Sequence, residues 1–103
     1  MDEYVYDLCF VDHVEVKSPS AGVVRVKIRG AWPTPAWKFD HEELEFSGRK
    51  VVIKIVGRVS KHSVAASVIT PFEHVIELKG LKAATCTVVG KGGRTITVPI
   101  KNA

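Results

Sequence analysis

Glutamine is absent from this chain, asparagine occurs once, at Asn102, and Met1 is the sole methionine. A shortage of thermolabile side chains is a trend of hyperthermophilic proteins, so the composition predicts a thermophilic source. No apolar run approaches the roughly 20 residues a bilayer-spanning helix requires, which argues against a membrane partner. The start, Met1-Asp2-Glu3-Tyr4, is acidic and lacks the basic and apolar regions of a signal peptide. If the chain is full length, a cytoplasmic protein is expected. Cysteine is limited to Cys9 and Cys86, with no CxxC pair and no histidine beside either. Each sits in an apolar run, so both read as reduced, buried thiols acting as small hydrophobes, and a disulfide between them is the alternative. The four histidines, His13, His41, His62 and His74, form neither an HxH nor an HxxxH pair. Structural zinc needs three or four ligands, usually nucleated by a close pair, so no metal and no cofactor are expected.

What is present is β pattern. A length of 103 residues suits one domain, 1–103, with enough core to fold without staples. Tyr4, Tyr6, Leu8, Phe10, Val14 and Val16 fall on even positions, the period-two signature of a half-buried strand. Asp12 breaks that phase and marks a bulge or a junction of two strands. A turn is expected over Ser18-Pro19-Ser20-Ala21-Gly22. Val24, Val26 and Ile28 then alternate with Arg25, Lys27 and Arg29. Residues 30–36 hold Pro33 and Pro35, neither able to donate to a ladder, and read as a loop. Trp37 and Phe39 are in odd phase, Leu44 and Phe46 in even phase, so a bulge is required near residues 40–43, where a helical turn over Glu42 to Leu44 is the alternative. Ser47-Gly48 predicts a tight hairpin into Val51, Ile53 and Ile55.

Two strand-like runs, Val64 to Thr70 and Val75 to Leu78, are separated by Pro71. A last pair, Thr85 to Val89 and Arg94 to Ile100, is joined by a glycine-rich loop. Seven or eight short strands with regular turns argue for an all-β antiparallel sandwich or a barrel, and the even strand phases favour the sandwich. The expected core is Leu8, Phe10, Val24, Val26, Ile28, Phe39, Ile53, Ile55, Val68, Ile76, Leu78, Val88, Ile96 and Val98.

The segments Trp32-Pro33-Thr34-Pro35-Ala36-Trp37 and Val68-Ile69-Thr70-Pro71-Phe72, followed by a final hairpin, carry a resemblance over roughly residues 30 to 100. Their order resembles small prokaryotic Ig-like domains of the protease-complex-stabilising type, which have a Pro-Thr-Gly-Gly-Tyr-like loop and a later Thr-Tyr-Pro-Tyr-like segment. More loosely, it resembles the chagasin-type cysteine-protease inhibitors. Ala36 stands where the stabiliser loop has its second glycine, and the inhibitors' Arg-Pro-Trp loop is missing. The resemblance implies an Ig-like sandwich and a protease or protease complex as partner.

No residue pattern points to catalysis. Asp40, Glu42, Glu43 and Glu45 read as a solvated strand edge that discourages edge-to-edge pairing. Ser60, His62 and Ser63 lack a nucleophile elbow. Gly90-Lys91-Gly92-Gly93-Arg94 lacks a Walker pattern and reads as a turn rather than a phosphate cradle. A non-enzymatic interaction domain is therefore expected, contacting an unknown protein through Trp32, Pro33, Thr34, Pro35 and Trp37, with Trp32 at least partly exposed and Trp37 buried; the alternative for this loop is that both tryptophans cap the open end of the sandwich. The alternative is nucleic-acid or polyanion binding through Arg25, Lys27 and Arg29, with Lys54 and Arg58 on another strand. Nine acidic and five basic residues precede Arg49, and ten basic and two acidic residues follow from it, an asymmetry that can signal an anionic partner but that interleaved strands of a sandwich need not gather into one patch.

Overall fold

The computed structural model describes residues 3–20, 23–79 and 84–100. Alternating apolar residues and β-branched content produce eight strands there: β1 (Tyr4–Leu8), β2 (Phe10–Ser20), β3 (Val23–Trp32), β4 (Lys38–Ser47), β5 (Lys50–Ser60), β6 (Thr70–Lys79), β7 (Thr85–Val89) and β8 (Thr95–Pro99). They form an all-β sandwich. One sheet has β2-β3-β6, and the other has β4, β5, β7, β8 and β1. Pairing is antiparallel throughout except for β5 and β7, which run parallel.

β5 organises the larger sheet. One edge pairs along its length with β4. The other edge is shared, with β7 against Lys50–Lys54 and β1 against Val56–Ser60. The molecule is therefore elongated, 47 × 25 × 25 Å, and has two unlike ends. At the upper end lie the start of β1, the residue 33–37 connection and the segment before β6. At the lower end lie the Gly48-Arg49 turn and the start of β7.

The core follows the alternation. Val24, Val26 and Ile28 from β3 meet Val51, Ile53 and Ile55 from β5, with Ile76, Leu78, Cys86 and Val88 closing the sides. Ile96 and Val98 pack partly buried against this cluster. The β-bulge expected at Asp12 is present between Val11 and His13, and that expected near residues 40–43 falls between Phe39 and His41. The final hairpin also forms as expected, closed by a single 3₁₀ turn at Lys91–Gly93.

Several expectations are corrected. The first run is two strands that part at Cys9, which with Val11 turns fully inward while Leu8 and Phe10 stay half-buried. The crossing between sheets reverses the phase at Cys9 and Val11, and the bulge at Asp12 restores it, so that Val14 is buried again. Residues 42–44 lie within β4, not in a helical turn. The Ser47-Gly48 hairpin forms one residue later: Ser47 pairs with Lys50, and Gly48 takes the turn at φ +58°, a left-handed conformation glycine adopts without strain. β2 continues to Ser20, and Ala21-Gly22 of the expected turn lie outside the described residues. Residues 62–69 form no strand, so Val68 is exposed. Pro71 interrupts nothing; it sits inside β6, paired with Ala31, in an edge strand where a missing N–H costs little. Phe39 is also exposed, at 45%, stacked on His74 at the sandwich edge.

Candidate interaction surface

The upper end is built on an aromatic plug. β3 runs through Gly30 and Ala31 to Trp32, which pairs with Thr70 and is only 5% exposed. Its ring stacks on Phe72 (centroids 4.9 Å apart) and on Trp37 (6.2 Å, planes 6° apart). Gly57 makes this possible, because a Cβ there would lie 2.5 Å from two Trp32 ring atoms. Trp32 is therefore not an exposed contact residue, contrary to the sequence expectation. It is the floor beneath the loops, and Trp37, expected to be buried, is only half so.

On that floor Thr34 fixes the connection. Its Oγ1 accepts from the Ala36 N–H at 3.3 Å, and its carbonyl accepts from the Trp37 N–H at 3.3 Å. Pro33 and Thr34 are half-buried and Pro35 is exposed. A neighbouring segment was not anticipated as surface. After β5, Ser60 accepts from the Ser63 N–H (3.0 Å) through its carbonyl and from the His62 N–H (3.3 Å) through its hydroxyl, which turns the chain away from the sheet. Residues 61–69 then run exposed, with Val64 at 98% and Ile69 at 67%. A cleft of about 250 Å³ brings the two segments together, lined by Thr34, Ala36 and Trp37 on one side and Val5, Val59 and Ala65 on the other. The clue available in sequence was Ser63-Val64-Ala65-Ala66-Ser67, apolar yet without the polar alternation of a half-buried strand.

The basic stripe is differently placed. Arg25, Lys27 and Arg29 do share the outer face of β3. Register sets Arg25 opposite Glu77 and Arg29 opposite Glu73. Arg25 Nε lies 3.1 Å from Glu77 Oε1, Lys27 Nζ 2.5 Å from Glu73 Oε1, and Arg29 Nε 4.0 Å from the same oxygen. Lys54 and Arg58 belong to the other sheet, where Lys54 faces Glu43 in register and Arg58 lies 3.6 Å from Asp40 and over the Tyr4 ring. The five cations do not form one band.

The histidines are dispersed, and among the described residues no group of three or more His, Cys, Asp or Glu side chains is arranged to hold a metal ion. His41 is bracketed by Asp40 (2.5 Å) and Glu43 (3.0 Å), and these carboxylates, Glu43 first, raise its pKa above the ordinary imidazole value. His74 contacts Glu42 at 2.8 Å. Lys91 reaches back from the 3₁₀ turn to Asp7, and this bond holds the Asp7 carboxyl below its usual range. Burial pushes both thiols, Cys9 and Cys86, up to about 11, which suppresses thiolate chemistry in the core. A groove of about 610 Å³ on the other sheet is lined by Asp12, His13, Arg29, Pro71, Phe72 and Glu73, mixing both charge signs.

No protein-family model, no curated protein and no solved structure matches this chain.

Proposed function

We propose that this chain is a non-catalytic protein-interaction domain that docks on its partner through the upper loop end. The observation that carries this reading is the exposed segment 61–69, with Val64, Val68 and Ile69 on it, beside the Thr34–Trp37 turn. Val64, Val68 and Ile69 cover no core of their own, and contiguous apolar surface of this kind marks interaction sites. The stacked Trp32, Trp37 and Phe72 rings hold the turn rigid, so docking costs little ordering entropy. Thr34, Pro33, Pro35 and Trp37 remain in the contact set, and Trp32 supports them from below. The partner to test first is a protease or protease complex, which is what the resemblance implies.

The polyanion alternative loses support from the carboxylates beside Arg25, Lys27 and Arg29, which compete with phosphate for the same cations. Affinity capture from a native extract separates the two readings. Val64→Asp with Ile69→Asp should abolish capture of the partner protein, a loss of about 2 kcal/mol or more for a hot-spot pair, with the melting temperature unchanged. Changing Arg25, Lys27 and Arg29 together to serine should leave capture intact. Capture kept by the loop variant and lost by the triple variant would overturn the reading.

A further inference from the structure

β4 is the outermost strand of its sheet, and among the described residues β5 is its only paired neighbour. Its other edge presents backbone N–H and C=O groups, a template for a further strand. Below the bulge at Asp40, residues 41–47 are regular. Leu44 and Phe46 lie on the core side, across from Ile53 and Val51, yet they remain 38% and 61% exposed. On the outer side His41, Glu43 and Glu45 alternate with them. The strand carries four acids, Asp40, Glu42, Glu43 and Glu45, against one strong base, Lys38.

β5 shows what β4 accepts as a neighbour: Ile53 and Val51 opposite the apolar side chains, Lys54 opposite Glu43, and the apolar Val52 and Ile55 opposite Glu45 and Glu42. A second copy does not satisfy the same demands. Two-fold antiparallel pairing centred on Leu44 sets Glu43 against Glu45 twice, and centring on Glu43 sets that residue against itself. Like charges directly opposite one another destabilise a ladder. A strand of opposite charge meets no such penalty.

We infer that the free edge of β4 binds an extended segment of another protein whose residues alternate between apolar and lysine or arginine side chains. Main-chain bonds supply affinity, the apolar positions cover Leu44 and Phe46, and the basic positions face Glu43 and Glu45. At about 3.3 Å per residue, the regular stretch accommodates roughly seven residues. This edge is separate from the loop end, and its occupancy does not depend on the docking proposed there.

The test uses the full chain and a blocked peptide of about eight residues alternating lysine and valine. Two control peptides carry glutamate in place of lysine, or N-methyl groups at every second residue. Hydrogen exchange read by NMR should show the β4 amides that face away from β5 slowed about tenfold or more by the lysine peptide. The glutamate and N-methyl peptides should have no effect. Glu43→Lys with Glu45→Lys should abolish protection by the lysine peptide and admit the glutamate peptide. The inference is overturned if the lysine peptide gives no protection at millimolar concentration, if protection falls elsewhere, or if the N-methylated peptide binds equally well, which would mean charge attraction without strand addition.

Discussion

Trp32 is the aromatic floor of the upper loop end. Its indole fills the space between the sheets at the upper end, so Trp32→Ala should cost about 3–5 kcal/mol, as truncation of buried aromatics does. Chemical denaturation with Trp37 fluorescence as readout checks this. Gly57→Ala should destabilise by about 1–3 kcal/mol through the same ring, because the added methyl has no room. A loss in the first variant without one in the second would show that Trp32 shifts freely. The core thiols make a second case. Cys86 is fully buried, so Cys86→Ala should cost about 1 kcal/mol or more. Neither Cys9 nor Cys86 should react with a thiol-specific disulfide reagent until denaturant unfolds the chain, given their raised pKa. The burial of the cysteines was legible from the apolar runs around them. That of Trp32 was legible only as the alternative in which both tryptophans cap the sandwich, because Gly30 and Pro33 punctuate the sequence as a loop, whereas the β3–β6 ladder continues through Gly30 to Trp32.

At the scale of elements, phase breaks in the sequence located both bulges, since a strand with one buried face tolerates no uncompensated shift of one residue. The same logic failed where an apolar run has no sheet to join: residues 64–69 have strand-like composition but no free ladder position, and local propensity yields to that tertiary fact. Two ion-paired groups, Asp7 and His41, give pH dependence. Asp7, its pKa lowered by Lys91, stabilises the fold above the ordinary carboxylate pKa, and that contribution is lost as pH falls through the depressed folded value. Both side chains are about a third or more exposed, so Lys91→Met should cost no more than about 1 kcal/mol at pH 7, and the gap to wild type should close in acid. His41, its pKa raised, behaves oppositely: its contribution is complete below the ordinary imidazole pKa and fades as pH rises through the folded value. An NMR titration should place the His41 midpoint above that of an unperturbed histidine side chain. Glu43→Gln should lower it, and an unmoved midpoint would remove the proposed cause.

For the whole molecule, the unequal charge of the two halves of the sequence does not become a basic face. Glu73 and Glu77, the two acids after Arg49, are the residues that β6 carries back beside Arg25, Lys27 and Arg29. Strand order determined this, and strand order is not written in local composition. The sandwich itself was legible because period two and turn chemistry repeat along the chain. The candidate surface was only half legible: the Thr34–Trp37 turn was visible, but most of its companion segment fell in the run Val64 to Thr70, which read as a strand. Docking through the loop end is decided by the salt dependence of partner affinity, measured on the captured partner between about 50 and 200 mM salt. Docking through the apolar loop end predicts a nearly flat plot of log affinity against log salt. A steep negative slope, by about 0.9 per phosphate neutralised, with nucleic acid as the retained species, would contradict it.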